Sequence, residues 1–229
     1  MQVSPVNPRH EGVSHSTSGS GLVDLAAFDR ARLMAEPYPT VTVPGFVLPD
    51  ALRSINRDYP SIEGPTSRDV HQIAAGPAFR DLVGYLESDD FCQRVSDKFK
   101  MDLAANSRMT TVRKYAEWSD GQIHTESKTK VVTVLIYFNE YWAAPGGRLR
   151  VLRSPTDMED YAAEIVPTNG TLFAFRRCDW SWHGFPPCSG ERRSLQMHYV
   201  APKRAQRGYL PKGSIRKRLR SFIKHVLAN

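Results

Sequence analysis

Cysteine is scarce in this sequence. The three present, Cys92, Cys178 and Cys188, are an odd number in 229 residues, which argues against a disulfide scaffold and fits a reducing compartment. Long apolar runs are also missing: none approaches the roughly 20 residues needed to cross a bilayer. The N-terminus has no apolar core of a secretory signal. A cytoplasmic protein is the simplest expectation. Acidic residues are outnumbered, 24 against 31 Lys and Arg, for a net charge of +7. That balance suggests an anionic partner without naming it.

Hydrophobic residues make up 41% of the chain, enough for one packed domain of this length. Residues 1–21 are rich in Ser, Gly, His and Pro and lack apolar periodicity, so a disordered leader is expected. A domain is expected over 22–202. Helices are predicted at Leu22–Ala35, from Pro49-Asp50 to Arg57, and over Pro77–Lys100, where apolar residues recur at helical spacing. Tyr38–Val47 reads as a strand, and Gly64–Val70 as a polar loop. From Met109 the periodicity changes. Met109–Ala116, Lys130–Phe138, Arg148–Arg153, Ile165–Pro167, Thr171–Phe175, Trp180–Phe185 and Arg192–Val200 read as short strands, with Met158–Ala163 a polar connection. Short strands separated by Gly and Pro turns indicate a sandwich or barrel. The fold class is therefore mainly β with flanking N-terminal helices, its core over about 109–202.

Residues 203–229 form a basic tail. Ile215, Leu219, Phe222, Ile223, Val226 and Leu227 fall on one helical face, with cations opposite. Packing on the domain, attachment to an anionic membrane surface and contact with nucleic acid all stay open, the last being the least favoured. A peripheral membrane location is the corresponding alternative to a free cytoplasmic one.

Within the β half, His124 and Glu126 sit two apart, so on an extended segment both point to one side. His183 comes from elsewhere in the chain. Two imidazoles and one carboxylate are the donor set of a non-haem Fe(II) centre, which leaves one face of the metal open. Arg192 follows, with Ser194 two residues on. A guanidinium pairs bidentately with a carboxylate, so such an Arg suits a dicarboxylate. Arg193 is its rival, but neighbouring strand residues face opposite sides, so only one of the two enters a pocket. Cys178-x4-His183-x4-Cys188 copies the second half of a zinc knuckle, but Phe175 stands where the first cysteine is needed. His198 shares the parity of Arg192 and Ser194 and reads as a core or pocket histidine.

The ordered set resembles the 2-oxoglutarate/Fe(II)-dependent oxygenases, in their prolyl 4-hydroxylase-like branch. The residues that carry the resemblance run through the last half of the chain. They are Tyr115; His124-Thr125-Glu126; the apolar strand Val131–Phe138 with Asn139; Gly146-Gly147-Arg148-Leu149; Gly170-Thr171-Leu172-Phe173-Ala174-Phe175; His183; and Gly190-Glu191-Arg192-Arg193-Ser194. The resemblance implies a double-stranded β-helix, or jelly roll. It implies Fe(II) held by His124, Glu126 and His183, and 2-oxoglutarate anchored by Arg192 and Ser194, with Tyr115 or Tyr137 as a further contact. It also implies hydroxylation of an unactivated C–H bond by O2, releasing succinate and CO2. The family usually has Asp where this chain has Glu126. Related halogenases have a small residue there, so a carboxylate favours hydroxylation. The substrate stays open among a small metabolite, a glycan and a protein residue. A non-catalytic jelly-roll binding module with a basic surface is the reading from a different class.

Overall fold

In the computed structural model, residues 21–202 are described. The expected leader up to residue 20 and the basic tail from residue 203 lie outside them. The first helix, α1 (Leu25–Arg30), is six residues long, far shorter than the predicted 22–35. Asp24 caps it, accepting from the Ala27 N–H at 2.7 Å. The flanks of the expected helix are extended instead: Val23 bridges to Val47 and Met34 to Thr40. β1 (Thr40–Val43) follows, then α2 (Pro49–Arg57), where Pro49 takes an early helical position and Leu48 precedes it without a side-chain cap. Proline suits that place because its missing N–H would have had no partner. Asp50 lies inside the first turn rather than at the cap, where it favours the helix dipole.

The predicted helix over 77–100 is two helices, α3 (Pro77–Leu86) and α4 (Asp89–Phe99). Ser88 separates them. Its hydroxyl accepts from the Phe91 N–H at 3.3 Å, and Asp89 and Asp90 occupy the new first turn. This is a helix-start signal, and it outweighs the continuous apolar periodicity.

The remaining strands are β2 (Arg68–Asp69), β3 (Ser107–Ala116), β4 (Lys130–Tyr137), β5 (Leu149–Leu152), β6 (Tyr161–Ile165), β7 (Leu172–Arg176), β8 (His183–Gly184) and β9 (Gly190–Val200). They form a six-stranded sheet in the order β1-β7-β4-β9-β3-β2 and a three-stranded sheet in the order β6-β5-β8. The strand expected at 165–167 lies earlier, at 161–165, and overlaps the predicted polar connection. Its Tyr161, Ala162 and Ala163 are exposed, so this edge strand carries little alternation.

The larger sheet is buried on both faces, and alternation along β4 shows how. Val132, Val134 and Ile136 turn to a core shared with Phe79 and Leu82 of α3 and Phe91 and Val95 of α4. Leu135 and Tyr137 turn the other way, to a smaller core with Phe173 and Phe175 of β7, Leu149 and Val151 of β5 and Ile165 of β6. The helices thus back the large sheet, and the small sheet covers its inner face. This is the jelly roll. No helix among the described residues is long and apolar enough to cross a membrane.

Candidate active site

His124 and His183 face each other across an isolated antiparallel bridge. Each backbone N–H donates to the other's carbonyl at 3.0 Å, and the ring centroids are 4.3 Å apart. The small sheet therefore delivers His183 through β8, and a single bridge holds His124 beside it. Glu126 lies in the same extended segment, not in a strand. One ligand atom from each of His124, Glu126 and His183 lies within 4.8 Å of the others. Each ring is oriented from behind. His124 Nδ1 meets the Gln122 carbonyl at 2.8 Å, and His183 Nδ1 meets the Ser181 carbonyl at 2.9 Å. A proton on Nδ1 satisfies each contact and leaves Nε2 with a free lone pair.

Electrostatics favour the same protonation. Burial and then the nearby His124 ring push His183 down to about 4, so at neutral pH it is an uncharged imidazole. Burial pushes the Glu126 carboxyl up, but Lys130, with His198 and His183, outweighs it and holds the group below its ordinary value. Two neutral imidazoles and one carboxylate are what a divalent cation requires of its ligands. Glu126 is held on all sides. Lys130 Nζ donates to Oε2 at 2.6 Å, Gln196 Nε2 donates to Oε1 at 3.0 Å, and Arg177 Nε donates to its backbone carbonyl at 3.2 Å. His198 is buried nearby, paired with Thr133 Oγ1 at 3.0 Å.

His124 and His183 line a cavity of about 420 Å³, and Arg192 and Ser194 line it too. Arg192 is 6% exposed. Its guanidinium carbon lies 4.2 Å from the Phe185 ring centroid and 5.1 Å from that of Tyr137, and Nε donates to the Gly147 carbonyl at 2.9 Å. Arg192 Nη2 and Tyr137 Oη are both buried without a hydrogen-bond partner. No carboxylate among the described residues pairs with this guanidinium. A buried cation without a counter-charge is costly, so the pair forms a receptor for an anionic group. A carboxylate of a dicarboxylic acid would satisfy both donors. The residues present thus fit both an Fe(II) ion and 2-oxoglutarate.

Arg193, the rival, lies outside this cavity: it pairs with Glu191 and its Nη1 faces Asn56 Oδ1 at 3.2 Å. Tyr115 does not line the cavity either. The pairing of β3 with β9 shifts between Arg113 and Tyr115, and beyond that shift Ala116 meets the cavity instead. Tyr137 is thus the tyrosine at the Arg192 end. Cys178, His183 and Cys188 do not gather into a metal cluster among the described residues. Sequence reasoning missed Lys130, Gln196 and the ion pair of Arg113 with Asp120, 2.6 Å apart at the cavity wall. Each is an ordinary polar residue by type and spacing, so the sequence offers no signal for it.

Residues 104–200 match the family model of the 2OG-Fe(II) oxygenase superfamily. A prolyl-4-hydroxylase structure from Pseudomonas putida superposes with a TM-score of 0.51 at 18% identity, over 71% of this chain and 88% of that one. A prolyl hydroxylase from Trichoplax adhaerens, solved with a peptide fragment of the hypoxia inducible factor oxygen degradation domain, gives a TM-score of 0.53. The identity is 15%, over 70% of this chain and 83% of that one. No curated protein sequence matches the chain. Identities this low establish the shared fold. Residues 104–200 are thus similar to the 2OG-Fe(II) oxygenase superfamily, and the fold is prolyl 4-hydroxylase-like.

Proposed function

We propose that His124, Glu126 and His183 hold the Fe(II) and that Arg192, with Ser194 and Tyr137, holds the far carboxylate of 2-oxoglutarate. The product is a hydroxylated, unactivated C–H bond. One observation carries the assignment: Arg192, buried with its Nη2 unpartnered, lines the same cavity as His124 and His183. When bound, iron would activate O2, the oxidant, and 2-oxoglutarate would be the co-reductant: one oxygen atom would end in succinate, formed with CO2, and the other on the substrate.

The chain's own residues bind and orient. The backbone carbonyls of Gln122 and Ser181 hold the two imidazoles with Nε2 free. Arg192 would fix one end of the cosubstrate and so orient it in the cavity. Glu126 fills the carboxylate position, which favours hydroxylation over halogenation. The cavity wall that includes Arg113 and Asp120 is charge-balanced, because these two pair with each other. Ser67, Ser119 and Gln122 add neutral polar groups. A peptide or small molecule presenting neutral polar groups suits that wall. The three cysteines are unpaired, which supports a reducing, cytoplasmic setting. The oxygenase unit spans 22–202, because α1 to α4 pack against the large sheet.

The test is succinate formation from 2-oxoglutarate with Fe(II) and air, with folding checked by circular dichroism. His124→Ala and Glu126→Ala should each abolish it while remaining folded. Turnover retained in both variants refutes the assignment.

A further inference from the structure

We propose that Lys130 and Gln196 divide the two oxygens of Glu126 between them, so that this carboxylate offers one oxygen to a metal and keeps a second coordination position free. The proposal rests on the site assignment above and concerns residues that the assignment leaves without a role.

The two contacts are not equivalent. Gln196 on β9 donates to Oε1 at 3.0 Å. Oε1 is also the oxygen 4.0 Å from His183 Nε2, so Gln196 turns that oxygen towards the imidazoles. Lys130, the first residue of β4, places Nζ 2.6 Å from Oε2. The ion pair is largely removed from water, with side-chain exposures of 22% for Lys130 and 5% for Glu126. An ammonium pressed against Oε2 repels a second cation at the same oxygen. The carboxylate is thus held from two strands, while Arg177, just past β7, ties the backbone carbonyl of Glu126.

The need for such a device follows from side-chain length. Glutamate has one more rotatable bond than the aspartate usual at this position. It therefore reaches further and can turn both oxygens onto one ion. Gln196 supplies the orientation, and Lys130 caps the oxygen that must stay off the metal. Both are positioning residues, not catalytic ones. Their removal should act in opposite directions, which a merely structural role would not produce.

The experiment titrates the whole chain with Co(II), followed by its visible absorption, and then titrates the Co(II) form with 2-oxoglutarate. In Lys130→Met the repulsion is gone and Oε2 is free. Co(II) should bind about tenfold more tightly, the Co(II) spectrum should change, and 2-oxoglutarate should bind about tenfold more weakly as it loses its coordination position. Lys130→Arg keeps the charge and should behave as the unmodified chain. Gln196→Leu should weaken Co(II) about 10–100-fold, the usual cost of losing a ligand's hydrogen-bond partner. If Lys130→Met is unfolded by circular dichroism, Lys130→Gln replaces it. Unchanged Co(II) affinity, spectrum and 2-oxoglutarate binding in the lysine variant overturns the proposal, as does weaker Co(II) binding there. If the unmodified chain takes up no Co(II), or His183→Ala takes up as much, the site assignment fails instead.

Discussion

Replacing Arg192 with Met removes the guanidinium that lies against the Phe185 and Tyr137 rings and keeps most of the apolar stem. In the free protein, Arg192 Nη2 has no hydrogen-bond partner. The loss therefore forfeits one hydrogen bond, from Nε to the Gly147 carbonyl, and two cation–π contacts, and relieves a buried charge with no carboxylate partner. The two effects oppose each other, so the variant should fold with a melting temperature close to that of the unmodified chain. The cosubstrate loses much more. A hydrogen bond to a charged group contributes about 1.5–3 kcal/mol, so two bonds to a carboxylate amount to about 3–6 kcal/mol. The Kd for 2-oxoglutarate should rise by at least about a hundredfold. Arg193→Met is the control. That residue pairs with the half-exposed Glu191 and lies 5.3 Å over the Tyr59 ring, away from the cavity. Its loss should change the Kd by no more than about twofold. Isothermal titration of the Mn(II)-loaded protein measures both. A thermal scan adds a second reading, since saturation at about a hundred times Kd stabilises by about 2.7 kcal/mol. That gain should vanish in Arg192→Met. Equal effects of the two substitutions would refute the placement of the anion receptor.

Two further outcomes are expected. Gly147→Ala should destabilise the fold by about 1–3 kcal/mol and weaken 2-oxoglutarate. Gly147 has φ +79, and an added Cβ would clash with Trp142 Cζ2 and stand 2.7 Å from Cys188 Sγ, while its carbonyl supports Arg192. Chemical denaturation and the same titration check this, and an unaffected variant would contradict it. Burial holds His198 down at about 4, against an ordinary 6.5. The unfolded chain therefore takes up this proton first, and stability is full above pH 6.5 and lost as pH falls towards 4. The contribution is on the order of 3 kcal/mol. His198→Gln should flatten that slope in metal-free denaturation curves, and an unchanged slope would rule out this origin.

Much of the architecture is legible in the residues themselves. β4 is nearly all apolar and branched, and a strand buried on both faces needs that composition. Pro49 and the run Ser88-Asp89-Asp90 both mark helix starts, but the second is hidden inside an unbroken apolar periodicity. β6 is hidden for the opposite reason, since an exposed edge strand has no alternation to read. At the site, the residue types of His124, Glu126, His183 and Arg192 announce their chemistry. Tyr115 depends on register, and a shift in strand pairing two residues earlier moves it off the cavity wall. Lys130 and Gln196 lie 4 and 70 residues from Glu126. Only the pairing of β4 with β9 brings them to one carboxylate, and no single-sequence pattern encodes that meeting.

The proposed site joins an iron centre and a 2-oxoglutarate receptor in one cavity. Anaerobic titration of the protein with Fe(II) and 2-oxoglutarate tests it most directly, by the weak visible charge-transfer band of the iron–2-oxoglutarate chelate. The expected band needs both components, is absent in His183→Ala, and requires far more 2-oxoglutarate in Arg192→Met. A folded protein that gives no band with both components present would contradict it.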